Sequence, residues 1–177
     1  MTAGEQLDRS AIAKLQKGQT QAEVRQEYGV PKRTETGANG KTLDFYQVTF
    51  FRKMPAPHRA LIVRSLFVLY DETSRVEQFV HHVGELPIWR TPLGWEAGGA
   101  LDEARVRSIQ RETHSRDDLI ATFGPPAIAG LDRDGDAMLA WYFITGNGGF
   151  FTSRHELLVT FDSSNRVKDY LLREIQQ

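Results

Sequence analysis

Three aspartates alternate around a glycine in "LDRDGDAML" (131–139): Asp132, Asp134 and Asp136. Carboxylates at that spacing suit a hard cation such as calcium. An EF-hand loop, however, needs glycine at its sixth position and glutamate at its twelfth, and counting from Asp132 those places hold Ala137 and Phe143. The stretch reads instead as an Asp-Gly turn feeding a strand, and no metal is expected. The glycines of "TGNGGFF" (145–151) suggest a phosphate loop, yet strand-like sequence lies on both sides and no helix N-terminus follows to hold an anion. It reads as a hairpin connection whose Phe150 and Phe151 either tuck under the loop or stand out as an anchor for a partner. His81 and His82 are neighbours on a strand and so point to opposite faces, which makes joint ligation awkward. Ser153 lies two residues before His155, but a catalytic triad is recognised by geometry and not by adjacency. No catalytic group and no cofactor are expected.

A basic stretch, "FRKMPAPHRALIVR" (51–64), carries Arg52, Lys53, His58, Arg59 and Arg64. It is either a solvated loop or a patch for anionic headgroups or an acidic partner, with Lys53 and Arg59 as its candidates. The net charge of −1 argues against a general nucleic-acid binder, which needs a surplus of cations on one surface. The two halves differ in sign, with 13 Lys and Arg against 10 Asp and Glu up to residue 95 and 9 against 13 after it, an asymmetry that favours docking of the two halves or of two copies of the chain. Cysteine is absent, which removes disulfides, thiol catalysis and zinc–thiolate sites. No apolar run approaches the length of a transmembrane segment, so the chain is expected to be soluble.

The elements that must carry these residues occur twice. Leu7-Asp8 and Leu101-Asp102 each precede an apolar residue, Ile12 or Val106, at the spacing of a hydrophobic staple around an N-capping aspartate. Thr20-x-x-Glu23 is a capping box and Ser115-x-x-Asp118 a shorter version of it, and each helix stops at glycine and proline, "YGVP" or "FGPP". Three strand-like stretches follow in each half, the last two joined by five-residue turns, Asp71 to Arg75 and Asp162 to Arg166. This predicts an α+β fold of two tandem helix-helix-strand-strand-strand units, 1–83 and 101–177, each an antiparallel three-stranded sheet with helices on one face. Residues 84–100, rich in glycine and proline, are expected to link them, with Trp89 and Trp95 packing. Units this small are marginal alone, so the two are expected to pair side by side or edge to edge. Both strand parities carry apolar groups, so the second face must be covered or used. Tyr46 and Tyr142 are expected to be equivalent positions, as are Phe79 and Tyr170. These aromatics either pack between the units or form a partner-binding surface.

The "G-x-T-x-x-E-V" of Gly18–Val24, the "YGVP" after it, the "FYQVTFFR" strand and "LVTFDSSNRV" resemble the SmpA/OmlA (BamE-like) outer-membrane lipoprotein family over both units. The resemblance implies a non-enzymatic protein of the bacterial envelope that holds another protein, lipid-anchored in its full-length form on the periplasmic face of the outer membrane. A tandem arrangement is also similar in fold to the β-lactamase inhibitory protein, which implies the alternative of an inhibitor or immunity factor blocking a hydrolase. Two departures stand out: the family has one unit where this chain has two, and the second unit holds Thr113-His114-Ser115 in place of Gly-x-Thr, with one residue inserted.

Overall fold

A computed structural model describes residues 7–53, 59–147 and 150–176. The local signals fold as their chemistry dictates. Asp8 Oδ1 accepts from the Ala11 N–H at 2.8 Å to start α1 (Arg9–Ile12), and Asp102 Oδ1 accepts from Ala104 N–H at 2.9 Å to start α3 (Glu103–Arg107). Thr20 and Glu23 close a reciprocal capping box on α2 (Gln21–Tyr28), and Ser115 and Asp118 do the same on α4 (Arg116–Phe123). In the turns, Asp71 Oδ1 accepts from the N–H of Thr73 and Arg75, and Asp162 Oδ1 from those of Ser164 and Arg166. Where the first unit has Gly18 at φ +85°, bonded to Val76 C=O, the second puts Glu112 at φ +61°, bonded to Val167 C=O. Glu112 thus keeps the same backbone turn without the glycine.

The strands do not form two sheets. β1 (Arg33–Thr36), β2 (Thr42–Lys53), β3 (Arg59–Tyr70), β4 (Val76–Thr91), β5 (Gly94–Ala97), β7 (Ala137–Asn147), β8 (Phe150–Phe161) and β9 (Val167–Gln176) follow one another in a single curled antiparallel sheet, and β6 (Ile128–Leu131) adds to β7. Strand residues outnumber helical ones more than threefold, so the expected α+β fold of two three-stranded sheets is corrected to a mostly antiparallel β fold with short helices on its convex side. The reason lies in residues 84–100. They carry the end of β4 and all of β5, and Ala97 pairs with Ile144, which stitches the halves together. Pro87 is tolerated within β4 because its main chain faces the side where the β5 ladder has just ended, its C=O accepting from Gly98 N–H at 3.3 Å.

Apolar residues on both strand parities are explained by three cores. Leu7, Val24, Tyr28, Tyr46, Leu66 and Val68 pack under α1 and α2, while Val106, Leu119, Leu139, Trp141 and Val159 pack under α3 and α4. The opposite strand parity builds the middle core, where Leu43, Phe67, Leu69 and Leu86 of the first half meet Ile128, Met138, Ala140 and Ile144 of the second. Each of the Val, Leu, Ile, Met and Phe side chains among them contributes roughly 1.5–3 kcal/mol by burial. β3 and β7 are therefore covered on both faces, by helices outside and by the other half inside.

A histidine spans the same junction. His82 Nε2 lies 3.3 Å from Pro126 C=O, tying β4 to the chain just before β6. Burial lowers its pKa, His81 and Arg116 add to this, and only the Pro126 carbonyl opposes. An unfolded histidine titrates near 6.5, so the unfolded chain binds the extra proton first; the contribution is complete above about pH 6.5 and is lost as pH falls toward the lower folded value. His82→Gln is expected to flatten the fall in Tm between about pH 7 and pH 5. An unchanged slope of Tm against pH would reject this assignment.

Candidate functional site

The curl leaves a groove of about 470 Å³ where β2 and β3 face β7, β8 and β9. Strand alternation sets its lining. Gln47 and Thr49 share the inward parity of Phe45, Leu61 and Val63 share that of Phe67, and Tyr142 shares that of Ala140 and Ile144. The register then brings Glu156 opposite Tyr142 and Arg154 opposite Ile144, and β9 adds Arg173 beside Glu156 and Ile175 beside Arg154. Leu61, Val63, Ile144 and Ile175 make apolar walls, while Lys32, Gln47, Thr49, Ser153 and Arg154 supply polar groups. A narrower extension of about 200 Å³ continues past Tyr142 to Arg33, Glu156 and Arg173.

The charges along it are unevenly matched. Arg173 Nε donates to Glu156 Oε2 at 2.6 Å, and Arg33 Nε pairs with Glu35 at 3.0 Å. Arg154 stands 3.7 Å from the same Glu156 oxygen, too far for a hydrogen bond, and lies over the Tyr142 ring at 5.2 Å from its centroid. Its Nε is buried with no hydrogen-bond partner among the described residues. Lys32 forms no ion pair among the described residues. Glu156 carries two arginines, so this end of the groove holds four cations against two carboxylates, Glu35 and Glu156. Burial first, then the Glu156 charge, pushes the Tyr142 hydroxyl far above its ordinary range, so it stays neutral at physiological pH.

The residues singled out from sequence scatter. Tyr142 is brought into the groove. Tyr46, Phe79 and Tyr170 pack beneath the helices, Tyr46 buried and the other two partly so, with Arg111 over the Tyr170 ring at 5.7 Å. Tyr46 and Tyr142 are not equivalent. Thr42 opposite Tyr70 corresponds to Ala137 opposite Phe161, which aligns Tyr46 with Trp141 and Gln47 with Tyr142. Phe79 and Tyr170 do correspond, three residues after Val76 and Val167, the residues at which β4 and β9 begin. Arg59 is exposed at the start of β3, and the side chains of Lys53, Phe150 and Phe151 lie outside the described residues. The Asp132–Asp136 segment is a turn closed on Asp132 Oδ1, with Gly135 at φ +90°, and among the described residues no group of three His, Asp or Glu side chains is arranged to hold a metal. Missed from sequence were Lys32, Arg154, Glu156 and Arg173. No alternation marks them: residues 152–156 (TSRHE) are polar at both parities, Lys32 lies just before β1, and β9 is mixed along its length.

A second feature projects beyond the opposite end of the groove, beside Thr145 and Asn147. The β4–β5 hairpin exposes Trp89 and Leu93, the latter 87% accessible, and Trp95 meets Phe51 edge-on at 5.7 Å. By register Trp89 lies on the other face of the hairpin, so the apolar patch is made by Leu93, Trp95 and Phe51, and contiguous exposed apolar groups mark contact surfaces.

Fold and site together define a curled antiparallel sheet with a cation-rich, apolar-walled groove. Compared with known proteins, the sequence matches no family model, no curated protein and no solved structure.

Proposed function

We propose that this chain is a non-catalytic protein-binding module of the bacterial envelope that seats part of another protein in the groove. The observation that carries this reading is Arg154, placed over the Tyr142 ring at 5.2 Å from its centroid beside apolar walls, with a buried Nε that no described residue bonds. A guanidinium so preorganised is suited to a carboxylate on a partner, since its orientation is fixed before binding. The envelope setting rests on the resemblance to SmpA/OmlA lipoproteins, as does a lipid anchor in a longer form. Contact of Arg59 with anionic headgroups belongs to the same proposal, and charge reversal there is expected to weaken adsorption to anionic vesicles.

The test is site-specific photocrosslinking in envelope extract. A photoreactive residue at Ser153 is expected to yield a discrete adduct, and one at Lys14, on the helical side and 71% exposed, is expected to yield none. Lys32→Glu with Arg154→Glu is expected to reduce that adduct at least about tenfold. Equal adducts at Ser153 and Lys14, or an adduct indifferent to the double charge reversal, would count against the groove.

The β4–β5 hairpin favours a second reading. An apolar tip beside a groove suits an inhibitor or immunity factor that plugs a hydrolase. It requires that the crosslinked partner be a hydrolase and lose activity on binding, and that Leu93→Asp relieve the inhibition.

A further inference from the structure

The two halves treat one strand edge differently. Lys32 N–H donates to Phe45 C=O at 2.8 Å, and Ala127 N–H donates to Ala140 C=O at 2.8 Å, so β2 and β7 receive the chain before them at equivalent points. Beyond that point β5 occupies the edge of β7, with Ala97 opposite Ile144 and Glu96 opposite Thr145. The equivalent residues of β2 are Thr49 and Phe50, and among the described residues no strand pairs with β2 there on that side. In an antiparallel sheet a residue's N–H and C=O face the same neighbour, and the facing alternates along the strand. Since the main chain of Phe45 faces outward, so do those of Gln47 and Thr49. Thr49 is exposed, and both side chains line the groove.

We propose that the edge of β2 at Gln47 and Thr49 accepts an extended, carboxylate-bearing segment of the partner protein as an added antiparallel strand, with alternate side chains entering the groove toward Lys32 and Arg154. This rests on the protein-binding reading above and names its mode. The molecule already carries the paired form on β7, where β5 sits antiparallel with Ala97, opposite Ile144, on the groove face of the sheet and Glu96, opposite Thr145, on the other face. Charge selects the occupant: the groove holds four cations against two carboxylates, and a second copy would bring its own Lys32 and Arg33 against them. Main-chain bonds to the edge give such a segment affinity that is tolerant of sequence, and the groove gives it selectivity.

The probe is a synthetic peptide of this chain's own residues 91–100, which contain β5, titrated into the isotopically labelled full chain. Saturable amide shifts at Gln47 and Thr49 are expected, with a Kd on the order of 1 mM for so short a strand. Thr49→Pro removes only an outward donor, which edge strands tolerate, and is expected to weaken binding at least about tenfold; Thr49→Val keeps the N–H and is expected to bind as wild type. If Thr49→Pro fails to fold, hydrogen exchange decides: the peptide must slow exchange at Gln47 and Thr49 in the wild-type chain. Shifts confined elsewhere, or none at about 5 mM, overturn the proposal. So does dimerisation of the free chain that Thr49→Pro abolishes, because a second copy then owns the edge. If charge reversal in the groove abolishes the crosslinked adduct while Thr49→Pro leaves it intact, the protein-binding reading stands and edge pairing falls.

Discussion

Gly84→Ala is expected to lower Tm by roughly 6–12 °C, the consequence of about 3 kcal/mol of lost stability in a domain of this size. A Cβ built on Gly84 falls 2.1 Å from the Ala127 carbonyl oxygen and 2.9 Å from its Cα. Those are main-chain atoms, so no rotamer change relieves the clash. Ala127 is itself fully buried and fixed by its N–H bond to Ala140 C=O at 2.8 Å. Relief requires β6 to move away from β4, and that movement opens the middle core where the two halves meet. Overpacking a core costs typically 1–3 kcal/mol and more when backbone must shift, which sets the upper half of that range as the expectation. Gly99→Ala is the control. Its added Cβ meets only the Phe123 carbonyl oxygen, at an ordinary 3.7 Å, and its backbone lies outside the left-handed region, so a change within about 0.5 kcal/mol is expected. Equal melting temperatures for the two variants would show that the halves are not packed this closely.

Gly84 also shows why the junction was hard to read. Glycine inside a strand signals close backbone approach, but sequence does not say what approaches. What proved legible was local: the capping pairs Thr20 with Glu23 and Ser115 with Asp118, and the aspartate turns at Asp71 and Asp162, each closed within five residues. β1 and β6 are four residues long, too short to show a period of two, and β1 (RTET) is wholly polar or charged. β5 looked like linker because a glycine-rich stretch becomes strand only when long-range partners exist. The one-residue slip that paired Tyr46 with Tyr142 has the same origin. Alternation separates two faces, but with both faces covered by apolar groups it does not say which is which. Tyr46 and its counterpart Trp141 serve the helices, while Tyr142 serves the groove. The groove cations were invisible as a group because Arg154 and Arg173 meet through the β8–β9 register, while Lys32, from the first half of the chain, reaches them only through the curl.

Asp44→Leu alone is expected to cost about 2–3 kcal/mol, and the same change made together with Arg25→Ile and Thr34→Ala is expected to restore stability to within about 1 kcal/mol of wild type. Asp44 is fully buried and accepts from Arg25 Nε and Nη2, both at 2.8 Å, and from Thr34 Oγ1 at 2.6 Å. Removing the carboxylate alone leaves Arg25 and Thr34 without their acceptor, which for a fully buried pair costs about 3–5 kcal/mol. The Arg25 side chain is 40% exposed and recovers part of its hydration, so the lower figure applies. The second half has already made the full exchange. Counted from the equivalent caps Thr20 and Ser115, Arg25 corresponds to Ile120, and by strand register Thr34 corresponds to Ala129 and Asp44 to Leu139. Ile120, Ala129 and Leu139 pack together in the cluster under α3 and α4, with no ion to desolvate. The same backbone thus accommodates both solutions, and the strongly non-additive result is what a buried ion pair of small net worth demands. Chemical denaturation of the single, double and triple variants measures it. A triple variant as unstable as Asp44→Leu would mean that the first half has diverged from the second in more than these side chains.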